Sequence, residues 1–93
     1  MKKEIMDWDI CEKEHIRKVS VDKDKIKSIL KMSSALLKFI KKQEIDEETA
    51  SIIVKDYYEI IKELLTALLL KNGLKSDNHE CLISYFKKNY PNY

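Results

Sequence analysis

One long helix constrains the fold more than any other feature of this sequence. We predict it over residues 46–73, which read DEETASIIVKDYYEIIKELLTALLLKNG. Asp46 suits the N-cap, because its carboxylate can accept hydrogen bonds from the free amides of the first turn. Gly73 suits the end, because glycine adopts the left-handed conformation that closes many helices. The apolar residues between them recur at spacings of three and four and predict a buried stripe. They are Ile53, Tyr57, Ile60, Ile61, Leu64, Leu65, Leu68 and Leu69.

A second helix is predicted before the central one. Asp22 is a suitable N-cap, and apolar residues at helical spacing follow it until the helix ends near Gln43. Only a short link separates Gln43 from Asp46, and connections of a few residues join neighbouring elements. These two helices are therefore predicted to form an antiparallel hairpin.

A third helix is predicted after Gly73. Asp77 and Glu80 have the spacing of a capping box, which places His79 in the first turn, and Pro91 stops the helix. The predicted fold class is thus all-α, an antiparallel up-and-down helical bundle of three main helices. Residues 1–21 are predicted to be an N-terminal arm and residues 22–93 the helical domain. The predicted core includes Leu37, Ile53, Leu64, Leu68 and Phe86.

The arm leaves two local structures open. Ile5, Trp8 and Cys11 fit a turn or two of helix, whereas Val19 and Val21 fit an extended connector, and so short a run does not decide between them. Trp8 is the expected anchor, because a lone tryptophan in a polar segment usually packs onto a neighbouring core or subunit.

Composition narrows the class of protein. One glycine and one proline in 93 residues argue against a turn-rich β-sandwich or barrel. No apolar run reaches the length of a membrane span, and the first residues do not resemble a signal peptide, so we predict a cytoplasmic protein without membrane contact. Two cysteines in such a chain predict reduced thiols. A net charge of +2 gives little support for nucleic-acid binding.

Residues 22–90 contain an ordered set of motifs: DYY at residues 56–58, LTALLLKNGL at residues 65–74, and then His79, Leu82 and Phe86. With these motifs in this order, the segment resembles the HEPN family of prokaryotic and archaeal helical bundles. The resemblance implies a four-helix bundle that is frequently a homodimer and that associates with nucleotide or RNA. It further implies, for many members, a toxin ribonuclease paired with a nucleotidyltransferase antitoxin.

The chain departs from this family where catalysis is concerned. Catalytic members resemble one another in an Arg-x4-6-His signature on a later helix, but the one arginine here is Arg17, in the arm. No residue therefore matches the catalytic pair, and His79 is the remaining catalytic candidate. The family's fourth helix is missing from these residues, either in a natural short form or in a piece of a longer protein. The residues predicted to contact nucleotide or RNA are Tyr57, Tyr58, Lys75 and His79.

Each of these sites has a structural alternative. A first-turn His79 more often hydrogen-bonds a loop than acts as an acid or base, and paired tyrosines more often pack between helices than stack on a base. Cys11, His15, His79 and Cys81 together offer four zinc-type ligands. That spacing is poor, because residues two apart on a helix face opposite sides. We predict no metal or other cofactor.

Two functions remain open at this point. The first is a HEPN-like interaction module, without self-contained catalysis, that associates with nucleotide or RNA and with a nucleotidyltransferase partner. The second is a toxin-type ribonuclease whose site is completed across a dimer or by residues outside this chain. A homodimer is expected, because three helices leave one apolar groove of the central helix open. The arm, through Trp8, is the alternative cover for that groove.

Overall fold

The computed structural model describes residues 5–92. In this range the chain is mainly helical and carries one small antiparallel sheet, so the helical class is confirmed, whereas the sheet was not predicted. The up-and-down arrangement stays a prediction. The elements are α1 (Trp8–Glu14), β1 (Ile16–Lys18), α2 (Lys23–Lys41), α3 (Ala50–Lys71), β2 (Leu74–Ser76) and α4 (His79–Asn89).

The starts of the helices follow the predicted caps only in part. Asp22 caps α2 as predicted and accepts the Lys25 amide at 3.0 Å. Asp46 instead organises the turn before α3, where its carboxylate accepts the amides of Glu48 and Thr49 at 2.9 Å. These bonds stabilise the ionised carboxylate, so they lower the pKa of Asp46. The predicted start of α3 at Asp46 is therefore early by one turn.

The cap of α4 is also displaced by one residue from the prediction. Asn78, not Asp77, is the N-cap, and its side chain accepts the Glu80 amide at 2.8 Å. His79 is the first residue of α4, as predicted. Asp77 is free to bond elsewhere, because the amide side chain of Asn78 performs the capping role equally well.

Gly73 ends α3 and starts the sheet. Its φ of 72° is the left-handed conformation predicted for this glycine. A Cβ at this position would lie 3.2 Å from the carbonyl oxygen of Val19, and the Val19 amide donates to the Gly73 carbonyl at 2.8 Å. The glycine thus allows β2 to pair at once with β1. In the register of this pair Arg17 lies opposite Lys75.

Two hydrophobic clusters lie along α3. The first joins α2 to the N-terminal half of α3 through Ile40, Ile53 and Ile60. The second surrounds the C-terminal half. Its members are Leu69, Leu82 and Tyr85, with Trp8, Ile16, Leu65, Leu68 and Leu74 packed against them. Trp8 meets Tyr85 edge-on at 5.4 Å between ring centroids, so it anchors the N-terminal segment as predicted.

The predicted core is right at some positions and wrong at one. Ile53 is buried, and Leu37, Leu68 and Phe86 are half-buried. Leu64 is 41% exposed, so its assignment to the core is wrong. The reason is geometric: α4 packs over the side of α3 that carries Leu69, which is 1% exposed and lies about 140° around the helix from Leu64.

A disulfide ties the N-terminal segment to α4. Cys11 in α1 and Cys81 in α4 are bonded to each other, and both are fully buried. The prediction of reduced thiols is therefore wrong. That prediction was based on the small number of cysteines in the chain. The bond instead depends on the position of α1 against α4, which brings together two cysteines 70 residues apart in the sequence. The segment predicted as an arm holds both a helix and a strand. Residues 1–4 lie outside the described range.

Candidate functional site

The residues predicted to contact nucleotide or RNA lie in different places. Tyr58 and His79 line one recess of about 400 Å³, between α3 and the start of α4. Tyr57 does not line that recess. Lys75 lines a separate cleft of about 390 Å³ beside the sheet, together with His15 and Arg17. The structure thus brings Tyr58 and His79 together and separates them from Lys75.

The Tyr58–His79 recess has the wrong charge for a phosphate. Asp77 and Glu80 also line it, and no lysine or arginine does so among the residues that the structure describes. Two carboxylates repel an anionic backbone, and phosphate binding normally needs Lys, Arg or backbone amides. A stacked base on Tyr58 is compatible with this recess, and Lys62 lines the adjoining cleft that Tyr58 and His79 share.

The side chain of His15 is held by Asp77 at the end of the sheet. Its Nδ1 lies 2.7 Å from the Asp77 carboxylate, and the Asp77 amide donates to the His15 carbonyl at 3.1 Å. Sequence reasoning missed this pair. A signal was present, because His15 follows Cys11 by four residues and Asp77 precedes Cys81 by four, so the disulfide aligns the two segments. The pair closes the sheet next to Arg17 and Lys75.

The zinc alternative is wrong. Cys11 and Cys81 are bonded to each other and offer no thiolate, and His15 uses one ring nitrogen on Asp77. His79 lies in the other recess. The four residues form two pairs along the sequence, Cys11 with His15 and His79 with Cys81. Oxidation of the two sulfurs nevertheless removes half of this ligand set.

A further candidate site is an apolar face on the hairpin of α2 and α3. It consists of Leu30, Val54, Tyr57, Ile61 and Leu64, and we call it the dimer face for the contact proposed there. Their exposed fractions are 47%, 67%, 40%, 56% and 41%. The four residues on α3 are spaced by three, four and three, so they form one stripe along the helix. Their combined exposed area is on the order of 400–500 Å², the range in which patches mark interaction sites.

The whole molecule exposes more surface than a compact monomer of its size. Its accessible area is 7625 Å², whereas a compact protein of 11.0 kDa exposes about 5,600 Å². Its radius of gyration is 15.0 Å, against about 12 Å for a compact chain of this length. The excess is consistent with a two-helix hairpin that has water on both sides.

Comparison of the chain with protein-family models, curated proteins and solved structures found no match. The HEPN resemblance therefore rests on the sequence motifs alone and stays a prediction. None of the helices within residues 5–92 is long and apolar enough to cross a membrane.

Proposed function

We propose that this protein is an interaction module that works as a homodimer through the dimer face, without self-contained catalysis. The observation that carries the proposal is the continuous exposed stripe of Val54, Tyr57, Ile61 and Leu64. This stripe stays exposed although Ile53, Ile60 and Ala67, which are spaced by seven residues along the same helix, are buried. A twofold axis would bury this stripe twice. The total area is then on the order of 1,000 Å², the lower bound for a specific interface.

The alternative surface for a twofold contact is less suitable. Relative to Ile53, which faces α2, the dimer face on α3 lies roughly 20–100° to one side at 100° per residue. Asp56, Glu59 and Glu63 lie roughly 60–120° to the other side. A twofold contact there would place three carboxylates from each protomer near the axis, and like charges across an interface oppose association.

The HEPN resemblance fits this proposal and extends it. A second hairpin on the dimer face would supply the helices that a four-helix bundle needs. The proposal then includes a nucleotidyltransferase partner and contact with nucleotide or RNA, with Tyr58 and His79 as the residues that meet a base. Cytoplasmic location is part of the same proposal. Because disulfides are rare in the reduced cytosol outside hyperthermophiles, this location requires that the buried Cys11–Cys81 bond persist there.

Sedimentation equilibrium tests the dimer. We expect the wild-type chain to approach twice 11.0 kDa at micromolar concentration, and Ile61→Asp to remain a monomer. Ile10→Asp is the matched control, because Ile10 is 45% exposed on α1, outside the dimer face. A wild-type mass that stays at 11.0 kDa at all concentrations would refute the proposal. Equal effects of the two substitutions would show that the dimer face is misplaced.

The second candidate function is the toxin-type ribonuclease, and one observation favours it: His79 and Asp77 line the same recess. We expect no turnover of single-stranded RNA by the purified chain, because no arginine lies in that recess among the described residues. Cleavage by the wild type that is lost in His79→Ala, with contaminating nuclease excluded, would establish the enzyme instead.

A further inference from the structure

The side of the hairpin opposite the dimer face holds a groove of about 650 Å³ between α2 and α3. Ile29, Met32 and Leu36 of α2 and Ile60 of α3 form its apolar floor. Met32 is 70% exposed there, so part of this floor is in contact with water. Like the dimer face, this apolar floor exposes apolar side chains to water that a partner could cover. The edge of the groove differs from the dimer face because it carries charged side chains.

Three carboxylates follow the α3 edge of this groove. They belong to Asp56, Glu59 and Glu63, whose spacings of three and four keep them on one side of the helix. Lys62 donates to Glu59 at 2.9 Å, which partly neutralises one of them. Asp56 and Glu63 have no ion pair within the described residues. No lysine or arginine lines this described groove, so the charged side chains that line it are all acidic.

The dimensions of the groove fit a short helix. Its lining runs over residues 28–36 of α2 and 56–63 of α3. At 1.5 Å per residue this is about 12 Å, or slightly more than two helical turns. A helix docked along such a groove inserts apolar side chains at positions i, i+3 or i+4, and i+7. The flank of that helix would lie beside the carboxylate edge.

We propose that this acidic groove binds a cationic amphipathic helix of a partner protein, with an apolar stripe on Met32 and Leu36 and lysine or arginine beside Asp56 and Glu63. Charge complementarity selects this occupant. A second copy of the chain is disfavoured, because two such grooves facing each other would bring three carboxylates from each protomer together. The groove is separate from the dimer face, so either surface can work without the other.

A synthetic peptide tests the proposal on the full chain. The probe is a fluorescein-labelled helix of 14 residues with a leucine stripe flanked by lysines, and the control peptide has glutamate at every lysine position. We expect the lysine peptide to bind in fluorescence anisotropy, and to bind less tightly as salt is raised from 50 to 300 mM. Equal binding of the glutamate peptide would overturn the proposal.

Matched variants locate the binding surface. The double variant Asp56→Asn with Glu63→Gln removes two charges from the groove and should weaken the lysine peptide tenfold or more at low salt. The control, Asp9→Asn with Glu12→Gln, removes the same charges from the exposed side of α1 and should change binding less than twofold. Equal effects of the two double variants would refute a specific groove.

The apolar floor needs its own pair of variants. Met32→Asp should abolish peptide binding without unfolding the chain, because this side chain is mostly exposed. Ile10→Asp, whose 45% exposed side chain on α1 lies outside both the groove and the dimer face, should leave peptide binding unchanged. Peptide binding that survives Met32→Asp would place the peptide on another surface and overturn this proposal, while leaving the proposed dimer open to its own test.

Discussion

Leu64 and Leu69 show how strongly the partner of a side chain, rather than its type, decides its role. Both belong to the apolar stripe of α3, but Leu69 is 1% exposed in the second cluster and Leu64 is 41% exposed. Fully burying a leucine contributes about 1.5–3 kcal/mol, and the cavity left by its truncation adds to the loss. The two residues therefore offer a matched comparison on one helix.

We expect Leu69→Ala to lower the free energy of unfolding by about 2–5 kcal/mol and Leu64→Ala by about 1 kcal/mol or less in the monomer. Urea unfolding followed by circular dichroism measures both. If Leu64 lies in a dimer interface, the cost of Leu64→Ala should rise with chain concentration, whereas that of Leu69→Ala should not. Equal costs at nanomolar chain would contradict the burial difference on which the prediction rests.

Tyr85 links burial to stability at alkaline pH. Burial raises the pKa of its phenol, the nearby charge of Tyr90 acts in the same direction, and the hydrogen bond from Asn72 opposes both. Because the pKa is raised on folding, the native state holds this proton more tightly than the unfolded chain. The resulting stability is present below the unfolded pKa of about 10 and is lost as pH rises through the folded pKa.

We therefore expect the wild type to lose more stability between pH 8 and pH 11 than Tyr85→Phe, which keeps the ring and its contact with Trp8. Urea unfolding at three pH values measures the difference. Lys62 has a raised pKa through its bond to Glu59 and titrates in both proteins, so it cancels in the comparison. Parallel curves for the two proteins would contradict the assigned role of Tyr85.

At the scale of elements, the disulfide makes α1 and β1 part of the fold. It closes a loop of 70 residues, and restricting the unfolded chain by such a loop stabilises a protein by about 4 kcal/mol in the chain-entropy model. The sheet alone has three residues in each strand, and two-stranded pairs are marginal in water. The disulfide therefore contributes the stability that the short strands do not provide.

We expect the free energy of unfolding of the double variant Cys11→Ser with Cys81→Ser to be about 2–4 kcal/mol lower than that of the oxidised wild type. Treatment of the wild type with a reductant under native conditions should approach the same stability. Titration of thiols in the denatured, unreduced protein should find none. Two free thiols in that titration would show that the cysteines are reduced in the purified protein and would restore the original prediction from composition.

The elements that sequence reasoning found are those with long periodic patterns. α2 and α3 carry apolar stripes of many residues and have local end signals, such as Asp22 and Gly73, that act over a single turn. The short elements carry too few residues for a period to appear. β1 exists because Gly73 turns the chain and Cys81 holds α1 against α4, and both conditions join residues about 60 to 70 positions apart.

The candidate sites, like the secondary-structure elements, could be predicted only where they depend on local sequence patterns. Tyr58 and His79 were both named from motifs, and α4 begins where the sequence indicated, so their meeting in one recess follows from the local pattern. The pair of His15 and Asp77 was missed, because the four-residue offsets from Cys11 and Cys81 that indicate it have meaning only once the disulfide is known. The open groove of the central helix was expected along its C-terminal leucines, of which Leu64 is exposed, whereas Leu69 and Leu70 are buried.

At the scale of the whole molecule, the two hydrophobic clusters differ in how they are held. The first contains one hairpin, whose two faces are open, and the second is built from five elements, α1, β1, α3, β2 and α4, with one disulfide joining α1 to α4. Only α3 runs through both. Regions with few buried apolar contacts open at lower free energy than the rest of a protein, so the hairpin should open locally while the second cluster stays folded.

Hydrogen exchange tests this order of stability and the dimer together. At nanomolar chain we expect amides of α2 near Leu30 to exchange faster than amides of α4 near Leu82, because the hairpin is then without its partner. Raising the chain to micromolar concentration should protect the α2 amides and the α3 amides near Ile61, and should leave those of α4 unchanged. In Ile61→Asp this added protection should disappear, whereas in Ile10→Asp it should persist. Uniform protection of α2 and α4 at every concentration would mean that the hairpin is as stable as the second cluster by itself, and that its exposed apolar face does not depend on a second protomer for stability.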